Sequence, residues 1–238
     1  MKGAQTLPPA PAKATTRGMP AGWYPTAPVA LTFDDGPDPE WTPLVLDALA
    51  SAGASATFFV VAPLAERYPY LLARIRDEGH TIAFHCTRHV RHDDLTQGEI
   101  EADVEHGLLS LGRSVRYWRT PWGVVTPATS RVARQRGLTL VGWTADTQDW
   151  SGSPHAEMLA RIEGTVLQGC IVLMHDGVGP GAMRGGCAQT VALIKPLVSL
   201  ARSRDLKPAP LHELDHPLPD RNPDFPAVEN GLTRSHRV

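Results

Sequence analysis

Several absences narrow the field before any motif is read. The 238-residue chain has only three cysteines, Cys86, Cys170 and Cys187. At least one is unpaired, so no disulfide framework is implied, and the count leans toward a reducing compartment. No apolar run approaches the roughly 20 residues that cross a bilayer as a helix. A formal charge of −2 leaves no basic footprint for nucleic acid. Met1 to Met19 is rich in Ala, Pro and Thr and lacks the apolar stretch of a secretory signal. A cytoplasmic location is the expectation, or secretion if a signal has been removed. No internal repeat has a fixed period. No glycine-rich dinucleotide loop follows the first apolar run, which argues against an open Rossmann sheet.

What is present suits one large α/β domain, with 42% hydrophobic residues for its core. Residues 1–28 read as an irregular lead segment with six prolines. Short apolar runs follow at Val29–Phe33, Ala56–Val61, Thr81–Phe84, Val115–Trp118, Leu138–Thr144, Cys170–Met174 and Lys207–Leu211. Stretches with helical spacing lie between them: Thr42–Ala52, Leu64–Glu78, Thr96–Leu111, Pro127–Arg136, Pro154–Leu167 and Ala188–Arg202. Thr96-Gln97-Gly98-Glu99 resembles a capping box. Strand-helix alternation of this kind means parallel strands with crossover helices, here a closed or distorted barrel. Residues 212–238 read as a loosely packed tail.

Chemistry-bearing residues follow nearly every run. Asp34 and Asp35 follow the first, His85 and His89 the third, Arg119 and Trp122 the fourth. Asp146, Asp149 and Trp150 follow the fifth, and His175 the sixth. The C-terminal strand ends of parallel α/β folds form the active face, so these residues converge. Two adjacent acids repel unless a cation holds them. The Gly36-Pro37 breaker allows the bend that both need to serve one site. The His85-x-x-x-His89 spacing puts two imidazoles on one side of a helical turn, and with a carboxylate they make a catalytic metal set.

His175 suits proton transfer or a third nitrogen ligand. Arg119 pairs with an acid, for chemistry or for structure. Asp146 is placed to orient His175, while Asp149 reads as a loop or cap residue. Trp122 and Trp150 wall a pocket or pack the barrel end, and packing is favoured for Trp143. His92 is a decoy, and His80, His106, His155, His212 and His216 read as structural or surface residues.

Five segments in order resemble the polysaccharide deacetylases, carbohydrate esterase family four, with their nodulation-type chitooligosaccharide-deacetylase domain. They are Thr32-Phe33-Asp34-Asp35-Gly36, His85-Cys86-Thr87-Arg88-His89, Arg119-Thr120-Pro121-Trp122-Gly123, Asp146-Thr147-Gln148-Asp149-Trp150 and Leu173-Met174-His175. Together they are highly specific, and the resemblance spans residues 29–211. It implies a distorted, seven-stranded (β/α) barrel and one divalent metal ion, zinc first, with cobalt or nickel as alternatives. It implies Asp35, His85 and His89 as metal ligands, Asp34 as general base and His175 as general acid. Arg119 would tether Asp34, Asp146 would tether His175, and Trp122, Trp150 and Leu173 would line the acyl pocket. A backbone N–H near Trp122 would face the oxyanion.

The implied activity is hydrolysis of N-acetyl groups on an amino-sugar glycan such as a chitooligosaccharide or peptidoglycan. The same site could instead deacylate a small N-acyl or O-acetyl metabolite, and the rival of another class is a non-catalytic carbohydrate-binding module. Two departures stand out. Cys86 replaces the Ser or Thr usual beside the first histidine, which puts the rigidity of the metal loop in question. Trp122 replaces Tyr or Phe.

Overall fold

The first apolar run becomes the axis of the molecule. In the structure, a computed structural model describing residues 27–112 and 114–214, it forms β1 (Ala27–Asp34). Val29, Ala30, Leu31 and Phe33 are fully buried, because a parallel strand covered on both faces has no solvent side. β2 (Thr57–Val61) pairs with β1 on one flank. On the other flank β7 (Ile171–His175) takes Ala30 to Asp34. β8 (Leu206–Ala209) pairs with the first half of β1, Ala27 to Ala30. The lead segment before residue 27, the tail beyond 214 and His216 lie outside the described residues.

All described pairings are parallel. The strand order is β5-β4-β3-β2-β1-β7-β6, with β8 branching from β1. The remaining strands are β3 (Thr81–Cys86), β4 (Tyr117–Trp118), β5 (Thr139–Leu140) and β6 (Ala145–Asp146). Each apolar run of the sequence supplies one strand. The exception is Leu138–Thr144, where pairing stops at Leu140 and a separate short strand, β6, starts beyond its end. β5 and β6 are the two ends of the curled sheet and do not pair with each other. The barrel is therefore distorted and open at one seam, spanned by residues 141–144.

Helices α1 (Trp41–Ala52), α4 (Gln97–Leu111), α5 (Pro127–Arg136) and α7 (Ala188–Ser203) follow the sequence pattern. The Thr96 and Glu99 side chains cap α4 reciprocally, as their spacing suggests. The stretch from Leu64 to Glu78 instead splits into α2 (Ala62–Arg67) and α3 (Pro69–Asp77). Pro69 has no N–H to continue the ladder, and Tyr68 leaves the helical region at φ −125°, ψ 56°. α6 (His155–Ile162) is likewise shorter than its pattern and ends in a 3-10 turn.

Candidate active site

The acid pair is built by one unusual residue. Asp34 ends β1, and Asp35 turns into the left-handed region at φ 73°. Asp and Asn tolerate that region better than most residues. The bend thus falls one residue earlier than Gly36-Pro37. It breaks the alternation that would send neighbouring side chains to opposite faces.

Asp34 is 4% exposed, and Arg119 is 1% exposed. Arg119 Nη1 donates to Asp34 Oδ1 at 2.8 Å and to Thr32 Oγ1 at 2.8 Å. Its Nη2 donates to the Gly142 carbonyl at 2.9 Å. The guanidinium lies 4.1 Å from the Phe59 ring centre. Arg119 therefore meets the acid end on, flanked by backbone and an aromatic face.

Asp35, His85 and His89 bring one ligand atom each to within 4.8 Å of one another. Asp35 Oδ1 lies 3.3 Å from His85 Nε2 and 3.2 Å from His89 Nε2. It is buried and makes no hydrogen bond. His85 Nδ1 lies 2.7 Å from the Arg119 carbonyl, which can only accept, so Nε2 carries the free lone pair. Burial alone would push the Asp35 carboxyl up, but the two imidazoles hold it well below the usual carboxylate range. A buried carboxylate oxygen without a donor, facing two imidazole nitrogens, fits a divalent cation.

No helical turn carries the two histidines. His85 lies in β3, and His89 sits in the loop beyond it. Asp103 of α4 pins that loop. It accepts from the Thr87 N–H at 2.9 Å and the Arg88 N–H at 2.8 Å, while the Thr87 hydroxyl donates to the Asp103 carbonyl at 2.7 Å. Asp103 is a residue that the sequence reading missed.

Its anchoring answers the question raised by Cys86, which is 1% exposed. Burial, with Asp103, Asp35 and Asp34 nearby, pushes the Cys86 thiol well above its ordinary range. The thiolate is the metal-binding form. Cys86→Ser is therefore expected to leave the metal content of the purified protein unchanged. Loss of metal by elemental analysis would make Cys86 a ligand.

The tether of His175 corrects the sequence reading. His175 Nδ1 lies 2.7 Å from Asp149 Oδ1, and Asp146 makes no hydrogen bond to it. Asp146 Oδ1 instead accepts the Gln148 N–H at 2.8 Å, two residues on in its own turn. Asp149 is fully buried. Its Oδ2 accepts from the His175 N–H at 2.9 Å, Thr190 Oγ1 at 2.7 Å and Arg184 Nη1 at 2.9 Å. With Oδ2 so occupied, Oδ1 is left to the imidazole. Burial opposes charge on His175, but the charge and hydrogen bond of Asp149, aided by Asp35 and Asp34, push it up to about 9.

The pocket candidates lie around this mouth. Trp122 is 41% exposed, sits at φ 51° and presents its ring to His89, with centroids 4.3 Å apart and planes at 75°. Leu173 alternates with the core residues Val172 and Met174, so it shares the face of β7 that carries His175. Trp150 lies on a 3-10 turn, and its carbonyl accepts the Met183 N–H at 2.9 Å. Trp143 packs 5.7 Å from the Arg119 guanidinium. His92 stays outside the metal set: it is buried at 2.9 Å from Thr129 Oγ1, and burial pushes its pKa down to about 4.

The chain is similar to several known proteins. Residues 23–141 match the family described as polysaccharide deacetylase. A chitooligosaccharide deacetylase of Bradyrhizobium sp. (strain ANU 289) is 33% identical over 204 residues, covering 79% of this chain and 91% of the relative. A peptidoglycan-N-acetylglucosamine deacetylase of Bacillus cereus is 34% identical over 154 residues, covering 63% of this chain and 72% of the relative. Among solved structures, a family 4 carbohydrate esterase from Streptomyces lividans in complex with acetate superposes with a TM-score of 0.69. It is 26% identical and covers 76% of this chain and 91% of that one. With most of both lengths covered at this identity, the chain belongs to the polysaccharide deacetylase family.

Proposed function

We propose that the protein is a zinc-dependent deacetylase acting on N-acetylglucosamine glycans of the chitooligosaccharide or peptidoglycan kind. One observation carries this reading. An acid and a base candidate, each with its own buried partner, flank a cluster of two histidines and a carboxylate. A structural metal site or a sugar-binding module has no need of both. The relatives' activities support the substrate class.

Asp35, His85 and His89 would hold the ion. A divalent ion there supplies Lewis-acid polarisation and makes water a stronger acid. Asp34 takes the proton of the attacking water on Oδ2, since Arg119 engages Oδ1. Arg119 holds the Asp34 carboxylate in place through that bond. A backbone N–H near Trp122 would face the developing oxyanion. His175, protonated and held through Nδ1, donates from Nε2 to the departing amine. Leu173 and Trp150 would line the pocket for the acetyl group, and Trp122 would offer a face to the sugar.

Acetate release should be metal-dependent. Dialysis against a chelator is expected to reduce turnover to background, and added zinc to restore it. The panel should contain N-acetylglucosamine oligomers, peptidoglycan, and small N-acyl and O-acetyl compounds. Turnover of small compounds alone would overturn the glycan assignment, and full activity in metal-free protein would overturn the mechanism.

A further inference from the structure

The loop after β7 passes directly behind the Asp35 carboxylate. The three nearest atoms to a Cβ placed on Gly179 all belong to that carboxyl group: Oδ2 at 2.1 Å, Cγ at 2.6 Å and Oδ1 at 3.0 Å. Real Cβ atoms do not approach so closely, so only glycine leaves room for the carboxylate where it stands. Nothing about the backbone itself demands glycine here, because Gly179 is not among the positive-φ glycines.

The loop is anchored on both sides of this contact. Before it, the Asp176 N–H donates to the Asp34 carbonyl at 3.1 Å. Arg184 Nη2 donates to the carbonyls of His175 at 3.2 Å and Gly177 at 3.1 Å. After it, the Ala182 N–H donates to the Gly179 carbonyl at 3.2 Å and the Met183 N–H to the Trp150 carbonyl at 2.9 Å. A methyl group at position 179 therefore meets a fixed backbone on one side and a rotatable carboxylate on the other. The carboxylate yields.

From this geometry we infer that Gly179 is a positioning residue for the metal site, a backbone wall that confines Asp35 to the orientation placing Oδ1 between His85 and His89. The inference rests on the metal-binding role proposed for that triad. Groups that orient metal ligands typically change affinity about 10–100-fold when altered.

Zinc affinity is the deciding measurement, taken by chelator competition on full-length wild type, Gly179→Ala and Gly185→Ala. Gly185 is the control: it lies in the same loop, also outside the positive-φ set, with nothing within 4 Å of an added Cβ. Gly179→Ala should bind zinc about 10–100-fold more weakly, with the Tm of the metal-free protein unchanged. Gly185→Ala should match wild type. Wild-type affinity in Gly179→Ala overturns the inference and leaves the metal site intact. So does equal weakening in both variants, which would mean general loosening of the loop. A large drop in metal-free Tm for Gly179→Ala overturns it too, because the methyl would then be displacing the fold. Failure of the wild type to bind zinc removes this inference and the proposed function together.

Discussion

Asp34→Asn is expected to lower kcat for acetate release by about 10²–10⁴-fold, the range of general-base catalysis, while metal content stays at the wild-type level. The amide cannot take a proton at Oδ2. It still offers an oxygen to Arg119 Nη1, which now donates to Asp34 Oδ1 at 2.8 Å. Removing one partner of a buried ion pair costs about 3–5 kcal/mol, and the retained hydrogen bond keeps this change below that cost. The variant should therefore fold, bind metal and be nearly inactive. Turnover within a few-fold of wild type, with metal bound, would remove Asp34 from the mechanism.

Asp149→Asn should be the second large loss, with a signature in the pH profile. His175 must be protonated to donate. Asp149 pushes it up to about 9 against the effect of burial, so the acid remains available through neutral pH and is lost as pH rises past that value. Without the charge on Asp149 the pKa falls, and the alkaline limb of kcat moves to lower pH. Geometry adds to the loss. Three donors crowd Asp149 Oδ2, so the Asn oxygen is drawn there and its NH₂ is left facing His175 Nδ1. The imidazole is then held as a neutral tautomer, a far weaker acid. A fall in kcat of about 10²-fold is expected, and Asp146→Asn should be close to wild type. The reverse ranking of the two variants would restore Asp146 as the tether.

That pair shows where sequence reasoning stops. The strand ends were legible because a parallel sheet sends every C-terminal end to one face, so Asp34, His85, Arg119 and His175 could be placed from apolar runs alone. Choosing between Asp146 and Asp149 was different. They are three residues apart in one polar turn, and local pattern does not rank them. The distinction comes from Thr190 and Arg184, about forty residues downstream, whose donors converge on Asp149 only after folding. Asp103 was hidden for the same reason. It lies on a helix whose spacing is unremarkable, and it acts on a loop that precedes that helix. The break at Pro69 could be read from proline chemistry, whereas β6, two residues long, leaves almost no periodicity to find.

The open seam of the barrel has a consequence for evolution and for engineering. Arg119 reaches the carbonyls of Val141 and Gly142, which belong to the segment between the unpaired edges. Zipping β5 to β6 would claim those carbonyls for a strand ladder and strip the arginine of the grip that aims it at Asp34. Selection for a tighter barrel and selection for turnover thus pull on the same atoms. A stabilised variant found by screening for heat resistance alone should tend to cure the gap and lose the enzyme.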